Sequence, residues 1–277
     1  VNTPSQTPPL SRLAVLGAGK MGEALLTGFF ASGQVEPASV VATARHPRRL
    51  ELVAERFGVE TTLDNSEAVR GAEVILLAVK PQSALDVLAE IAEATSPGQI
   101  LVSIVAGLST AAMEDALGRE LAVVRTMPNT PVRLGCGMTA VCGGKWASAE
   151  QVERARALFE SVGRALVLDE KYFDAVTGVS ASGPAFLYII IESLAEGGVK
   201  VGLPRRVATE LAAQACLGSA RMVLETGSHP ALLKDEVTTP AGCTMDGILE
   251  LEAGGLRVTL IKAIVEACRR SQELVEE

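Results

Sequence analysis

The sequence is short of aromatic residues: Phe, Trp and Tyr together make up 3% of its 277 positions. A core without large rings must be filled by Ala, Leu, Val and Ile, which favours close-packed helices and parallel strands. Histidine is scarcer still, with His46 and His229 alone, so no histidine-based metal site is expected. The five cysteines, Cys136, Cys142, Cys216, Cys243 and Cys268, are odd in number and form no CxxC pair. That argues against a disulfide framework or a zinc site and for a reducing, cytoplasmic setting. Positive charge is also lacking. The formal net charge is −8, and no Lys/Arg-rich block offers the basic face that nucleic acid requires. The densest basic stretch, residues 45–49, suits either a single phosphate or a solvated helix start. No apolar run reaches bilayer length, that at 186–191 being far too short, so no membrane partner is expected. Residues 1–11 are polar, hold three prolines and lack a signal peptide's apolar centre, which reads as a disordered lead-in.

What is present is an ordinary globular composition, 48% hydrophobic and 21% charged. Short apolar runs at 13–16, 40–43, 74–79, 100–105 and 121–125 read as buried strands. Helical patterns at 21–32, 47–57, 84–92 and 110–117 alternate with them, which implies right-handed βαβ units and a parallel sheet. Residues 138–141 and 165–168 suggest two more strands around a helix at 149–161. Beyond Lys171 no strand is convincing, and 172–179, 184–196, 204–225, 230–237 and 245–276 read as helix with interruptions. The fold class is therefore α/β: a domain with a parallel sheet at 12–170, then an all-helical domain at 171–277. Leu187, Ile190, Ile191 and Leu194 follow helical face spacing, and few polar positions surround them. So apolar a bundle favours a covering partner chain, hence a homo-oligomer, over helices that simply pack on the first domain.

Gly17-Ala18-Gly19-Lys20-Met21-Gly22 matches GxGxxG between a strand and a helix, the context that gives this otherwise weak motif meaning. Gly17 permits the tight turn, Gly19 lets a pyrophosphate approach the backbone, and Gly22 allows helix and strand to pack, which makes 12–170 a Rossmann-type dinucleotide-binding domain. An NAD-preferring site places a carboxylate about 20 residues further on. Here Ala42-Thr43-Ala44-Arg45 has none. Thr43 as hydrogen-bond donor and Arg45 as charge partner suit a 2′-phosphate, so NADPH is favoured, with NADH as the lesser cofactor. Ala78, Val79, Lys80 and Pro81 end one strand, and Ile104, Val105 and Ala106 end the next; both segments are expected beside the nicotinamide. Met127-Pro128-Asn129-Thr130-Pro131 follows another strand and is expected there too.

Two further stretches look specialised: Val179-Ser180-Ala181-Ser182-Gly183-Pro184-Ala185-Phe186, and residues 233–244, ending Val237-Thr238-Thr239-Pro240-Ala241-Gly242-Cys243-Thr244. The second lies directly before a helix. Exposed N–H groups at Gly242, Cys243 and Thr244 would make an anion pocket for a carboxylate. Simple N-capping by Thr244 accounts for the same residues equally well.

With Ser182-Gly183-Pro184-Ala185, Gly198-Val199-Lys200-Val201-Gly202-Leu203-Pro204 and the 237–244 loop in this order, the chain resembles the pyrroline-5-carboxylate reductases, from about residue 13 to 274. It departs from their pattern at Ala241, where a glycine is usual, and at Glu236, where some members carry an amide. The resemblance implies a dimer with interleaved helical domains; some members join dimers into rings. It implies that Leu16, Gly17, Ala18, Gly19, Lys20, Met21, Asn65, residues 78–81 and 104–106 match cofactor positions. Glu170, Ser182, Glu236, Val237, Thr238, Gly242, Cys243 and Thr244 match positions near the small-molecule substrate. That substrate would be 1-pyrroline-5-carboxylate, reduced to proline by hydride transfer. Its carboxylate would sit on the Gly242–Thr244 amides, with the Thr244 hydroxyl at the ring nitrogen.

Two other readings start from the same residues. A β-hydroxyacid dehydrogenase would share the first half and need a lysine acid, for which Lys200 is the one candidate. A non-catalytic NADP sensor would need no second anion pocket. Arg45→Glu is expected to raise KM for NADPH far more than for NADH, as read from steady-state rates with each; an equal rise would remove the assignment.

Overall fold

The computed structural model describes residues 8–240 and 242–273. The chain forms two compact units: one runs to Ala181 and regains the chain from Ala267 onward, and the other is Ser182–Glu266. In the first, β1 (Leu13–Leu16) leads to α1 (Lys20–Ser32), β2 (Val40–Thr43) to α2 (Pro47–Phe57), and β3 (Glu60–Thr62) to α3 (Asn65–Val69). Then β4 (Val74–Leu77) leads to α4 (Pro81–Ile91) and β5 (Ile100–Ser103) to α5 (Thr110–Leu117). A short 3-10 turn, Thr130–Leu134, joins β6 (Ala122–Met127) to β7 (Gly137–Gly143), and α6 (Ala149–Glu160) precedes β8 (Gly163–Val167).

These strands form one sheet in the order β3-β2-β1-β4-β5-β6-β7-β8. Successive side chains of a strand point to opposite faces, and both faces here are covered. Leu13, Val15, Val74 and Leu76 pack with Leu25 and Phe29 of α1 and with Leu158 and Phe159 of α6. Ala14, Leu16, Ile75 and Leu77 pack on the other face with Leu88 of α4 and Met113 of α5. Two-sided burial explains why the central strands are unbroken apolar runs. One of the few aromatic contacts, Phe29 edge-on to Phe159 at 5.9 Å, joins α1 to α6.

The structure departs from the sequence expectations in several places. The sheet is not wholly parallel: β7 runs antiparallel to β6, and β8 is parallel to β7. The β6–β7 link holds one 3-10 turn, too short for the crossover that a parallel return needs. Two elements, β3 and α3, were not foreseen; Glu60, Thr61 and Thr62 have no apolar alternation to betray a strand. Of the proposed lead-in, residues 1–7 lie outside the described residues, but 8–11 are docked rather than loose. Leu10 is buried, Ser11 donates to Glu73 twice at 2.9 Å, and Arg154 donates to the Pro8 carbonyl at 2.7 Å. The helix expected over 172–179 is three pieces: a 3-10 turn (Glu170–Tyr172), α7 (Phe173–Val176) and a π-helical segment, Thr177–Ala181.

The second unit comprises α8 (Gly183–Lys200), α9 (Arg205–Thr226), α10 (Pro230–Glu236), α11 (Cys243–Ala253) and the first part of α12 (Leu256–Glu273). Gly254 and Gly255 split the helix expected over 245–276. The buried core of this unit is Ala195, Ala208 and Ala212, with Ile191 and Val199 packed against them. Leu187, Tyr188, Ile189, Leu194, Leu211 and Met222 stay exposed. A helical run, Glu170–Lys200, is long and apolar enough to cross a membrane by length and composition alone.

The contact between α1 and the β6–β7 turn is tight enough to test. A Cβ added at Gly28 would lie 2.6 Å from the Val132 carbonyl oxygen and 2.7 Å from Val162 Cγ1. Gly28→Ala is expected to destabilise the protein by about 1–3 kcal/mol through overpacking, seen as a lower thermal midpoint; an unchanged midpoint would show that the turn yields freely.

Candidate functional site

β1 lies between β2 and β4, the point at which the strand order reverses and where open α/β sheets bind ligands. The loop leaving it is shaped by its glycines. Gly17 has φ +91°, and a Cβ there would fall 2.8 Å from Val79 Cγ1, so the turn admits no side chain. The N–H groups of Gly17 and Ala18 donate to the Thr43 carbonyl at 3.2 and 2.8 Å. At Gly19 a Cβ would meet nothing within 4 Å, while at Gly22 it would lie 3.0 Å from the Gly17 oxygen. Gly19 thus leaves an open approach, and Gly22 brings helix and loop together. No side chain caps α1, whose first amides and dipole are free for phosphate.

A cavity of about 720 Å³ borders this loop. Of the residues expected to hold a cofactor, Gly17, Ala18, Gly19, Thr43, Arg45, Asn65, Ala78, Val79 and Lys80 line it. Leu16, Lys20, Met21, Gly22, Pro81, Ile104, Val105 and Ala106 do not line it. Leu16 and Val105 are buried in the core, Pro81 opens α4, and Ile104 continues from β5 by donating to Leu77 at 3.0 Å. Also lining the cavity, and not expected from the sequence, are Leu63, and Ser83, Asp86, Val87 and Glu90 of α4. The spacing 83, 86, 87, 90 is a single helical face, the signal that would have found it.

Thr43 is committed differently from expectation. Its buried hydroxyl donates to Asn65 Oδ1 at 2.7 Å and accepts from the Gly17 N–H at 3.3 Å. The hydroxyl hydrogen is therefore spent inside the protein, and Arg45 is left as the expected 2′-phosphate partner, exposed and without an ion pair among the described residues. Asn65 in turn donates to Glu90 at 3.0 Å.

Glu170 also has protein partners. Its carboxylate accepts from the Thr110 N–H and hydroxyl, both at 2.7 Å, and from Arg125 at 3.0 Å. The Arg125 guanidinium lies over the Phe173 ring, 4.7 Å from its centroid. Burial pushes the Glu170 carboxyl up, but the Thr110 bonds and Arg125 outweigh it and hold the group below the usual carboxylate range. Nearby, burial and the Glu170 charge push the Cys142 thiol up to about 12. Asn129, from the segment after β6, donates to the Ser180 carbonyl at 3.1 Å and accepts from the Met138 N–H at 2.9 Å.

In the second unit, Ser182 is the residue before α8 and caps nothing with its side chain, and Lys200 is the last residue of α8. Val237 is exposed, and Thr238 turns its hydroxyl back to the Lys234 carbonyl at 2.7 Å. Gly242, not Thr244, is the N-cap of α11, and it provides no side-chain cap. One expectation fails here: the Gly242 N–H is not free but donates to the Thr239 carbonyl at 3.0 Å, because a tight turn closes the loop. A Cβ on Gly242 would lie 2.4 Å from Thr239 Oγ1, so glycine is needed. Among the described residues no acceptor engages the N–H of Cys243 or Thr244. Ala241, the departure noted above, lies outside the described residues.

Comparison with known proteins matches residues 170–274 to a family model described as pyrroline-5-carboxylate reductase dimerisation. Residues 12–107 match one described as NADP oxidoreductase, coenzyme F420-dependent. The chain is 41% identical to a pyrroline-5-carboxylate reductase of Synechocystis over 95% of its own length and 98% of the relative's. It is 43% identical to one from Glycine max, over 95% of each chain. A Plasmodium falciparum pyrroline carboxylate reductase solved with NADP bound superposes with TM-score 0.88 at 30% identity, covering 97% of this chain and all of that one.

The Glu170 cluster predicts an acid limb. A carboxyl whose folded pKa is depressed adds stability above its unfolded pKa and loses it as pH falls through the lower folded value. Glu73, which Ser11 and Arg154 hold below the usual range against the upward push of burial, contributes with the same sign. Glu170→Gln is expected to lower the thermal midpoint at neutral pH yet flatten its fall below about pH 4.5. An unchanged slope would assign the acid limb to other carboxylates.

Proposed function

Because the chain belongs to the pyrroline-5-carboxylate reductase family, we propose how its own residues divide the labour of that reaction. The activity is NAD(P)H-dependent reduction of the cyclic imine 1-pyrroline-5-carboxylate to proline. The observation that carries the reading is the cavity of about 720 Å³ beside the glycine loop of the first unit; the second unit by itself offers an uncapped helix start. We divide the chain into a dinucleotide domain at 12–170 and a substrate and dimerisation domain at 171–277.

The residues around the cavity fit a dinucleotide. Gly19 leaves room for a pyrophosphate, the bare start of α1 meets its charge, and Arg45 takes the 2′-phosphate of NADPH, with NADH held more weakly. Leu63 and Val87 offer apolar surface for the base. Residues 78–81, 104–106 and 127–131 follow the carboxyl ends of β4, β5 and β6, the edge where the nicotinamide half is expected. When bound, NADPH supplies the hydride.

On the second unit, the Cys243 and Thr244 amides bind the substrate carboxylate, helped by the dipole of α11, while residues 237–240 and Gly242 shape the loop. The Thr244 hydroxyl hydrogen-bonds the ring nitrogen. An iminium is already electrophilic, so positioning matters more than acid catalysis. Glu170 we read as a positioning residue that fixes Thr110 and Arg125.

The second unit acts as half of an interleaved homodimer, and dimers of this kind can build rings. Its alanine core and its exposed Leu187, Tyr188 and Ile189 support a covering second copy, which also accounts for the long apolar helical run without a membrane. Free cysteines throughout fit a cytoplasmic enzyme.

The test is nicotinamide absorbance with purified protein, NADPH and the cyclic imine. Thr244→Ala is expected to slow turnover by no more than about a hundredfold and to raise KM for the imine. Full-rate turnover by the variant, or none by a folded wild type, would end the assignment.

A further inference from the structure

The glycine loop carries a side-chain brace to which the cofactor reading gives no role. Arg49, the third residue of α2, donates from Nε to the Ala18 carbonyl at 2.8 Å. Its Nη2 pairs with the Glu23 carboxylate at 2.8 Å. Glu23 belongs to the first turn of α1, is largely buried, and also receives Arg56 at 3.3 Å. The N–H of the same peptide, that of Gly19, donates to the Gly17 carbonyl at 2.7 Å. The peptide joining Ala18 to Gly19 is thus held at both edges, by a guanidinium on one and the loop's own turn on the other. No backbone N–H among the described residues reaches the Ala18 oxygen.

The direction of that carbonyl has an electrostatic consequence. The start of α1 attracts phosphate because only N–H groups point outward there. A peptide free to rotate would at times present the Ala18 oxygen, a partial negative charge, to the same phosphates. We propose that Arg49 is a positioning residue for the dinucleotide, acting through the Ala18 carbonyl on the pyrophosphate end common to NADPH and NADH. Both Arg45 and Arg49 line the cavity, but Arg49 is paired with Glu23, a carboxylate it shares with Arg56, whereas Arg45 has no ion pair among the described residues. The two arginines therefore divide the work: Arg45 tells the cofactors apart, and Arg49 serves both. This rests on the reading of the cavity as the dinucleotide site.

The test uses the full chain with Arg49→Met, which keeps the aliphatic stem but removes the donors, and Arg49→Lys, which restores one. Kd for NADPH and for NADH is measured by nicotinamide fluorescence, with the thermal midpoint read alongside. Both affinities are expected to weaken about tenfold in the methionine variant, with their ratio kept within about twofold and part of the loss recovered by lysine. A loss confined to NADPH would mean that the guanidinium meets the 2′-phosphate directly, and affinities unchanged for both would mean that the loop needs no brace; either overturns the proposal. Wild-type protein binding neither dinucleotide would overturn the cavity reading and the brace with it. Normal wild-type binding without the Arg49 effect overturns the brace alone.

Discussion

The N–H groups of Gly17 and Ala18 converge on one oxygen, the carbonyl of Thr43. That convergence ties the end of β1 to the end of β2 at the reversal point of the sheet, and the connection continues outward. The Thr43 hydroxyl reaches Asn65 at the start of α3, and Asn65 reaches Glu90 on α4. Four segments around the cavity are therefore linked before any ligand arrives. A preformed rim of this kind reduces the ordering cost of binding. It also explains why a hydroxyl that looked available in the sequence is used within the protein.

Much of the first unit was legible because its chemistry is local. β1, β2 and α5 lie where continuous apolar runs or helical spacing put them, and Gly17, Gly19 and Gly22 each have the geometry their motif implies. What stayed hidden depends on partners far along the chain. β3 is polar and is a strand only because β2 offers it a ladder. The reversed direction of β7 follows from a link too short to cross over. The docking of residues 8–11 needs Glu73 and Arg154, which are remote in sequence. In the loop before α11 the residue types pointed to three amides, and a turn hydrogen bond from Gly242 to Thr239 withdraws one.

The two units solve the problem of few aromatics in opposite ways. The sheet unit buries Leu, Val and Ile from both faces under helices of its own chain. Among its described residues the helical unit buries only Ala195, Ala208 and Ala212, and small residues let α8 and α9 approach closely; even a Cβ at Gly198 would sit 3.0 Å from that of Ala208. Many of its larger apolar side chains, Leu187, Ile189 and Leu211 among them, are exposed in the single chain, a surface whose burial would add hydrophobic stabilisation.

That alanine seam sets how the gene can drift. Within one chain the seam between α8 and α9 is tight at Gly198, where a Cβ would crowd Ala208, so that position favours a residue without one. The outward apolar positions, such as Leu187, Ile189 and Leu211, instead answer to the surface that covers them. On the proposed dimer, compensating changes there are expected to arise in pairs that no single subunit brings together.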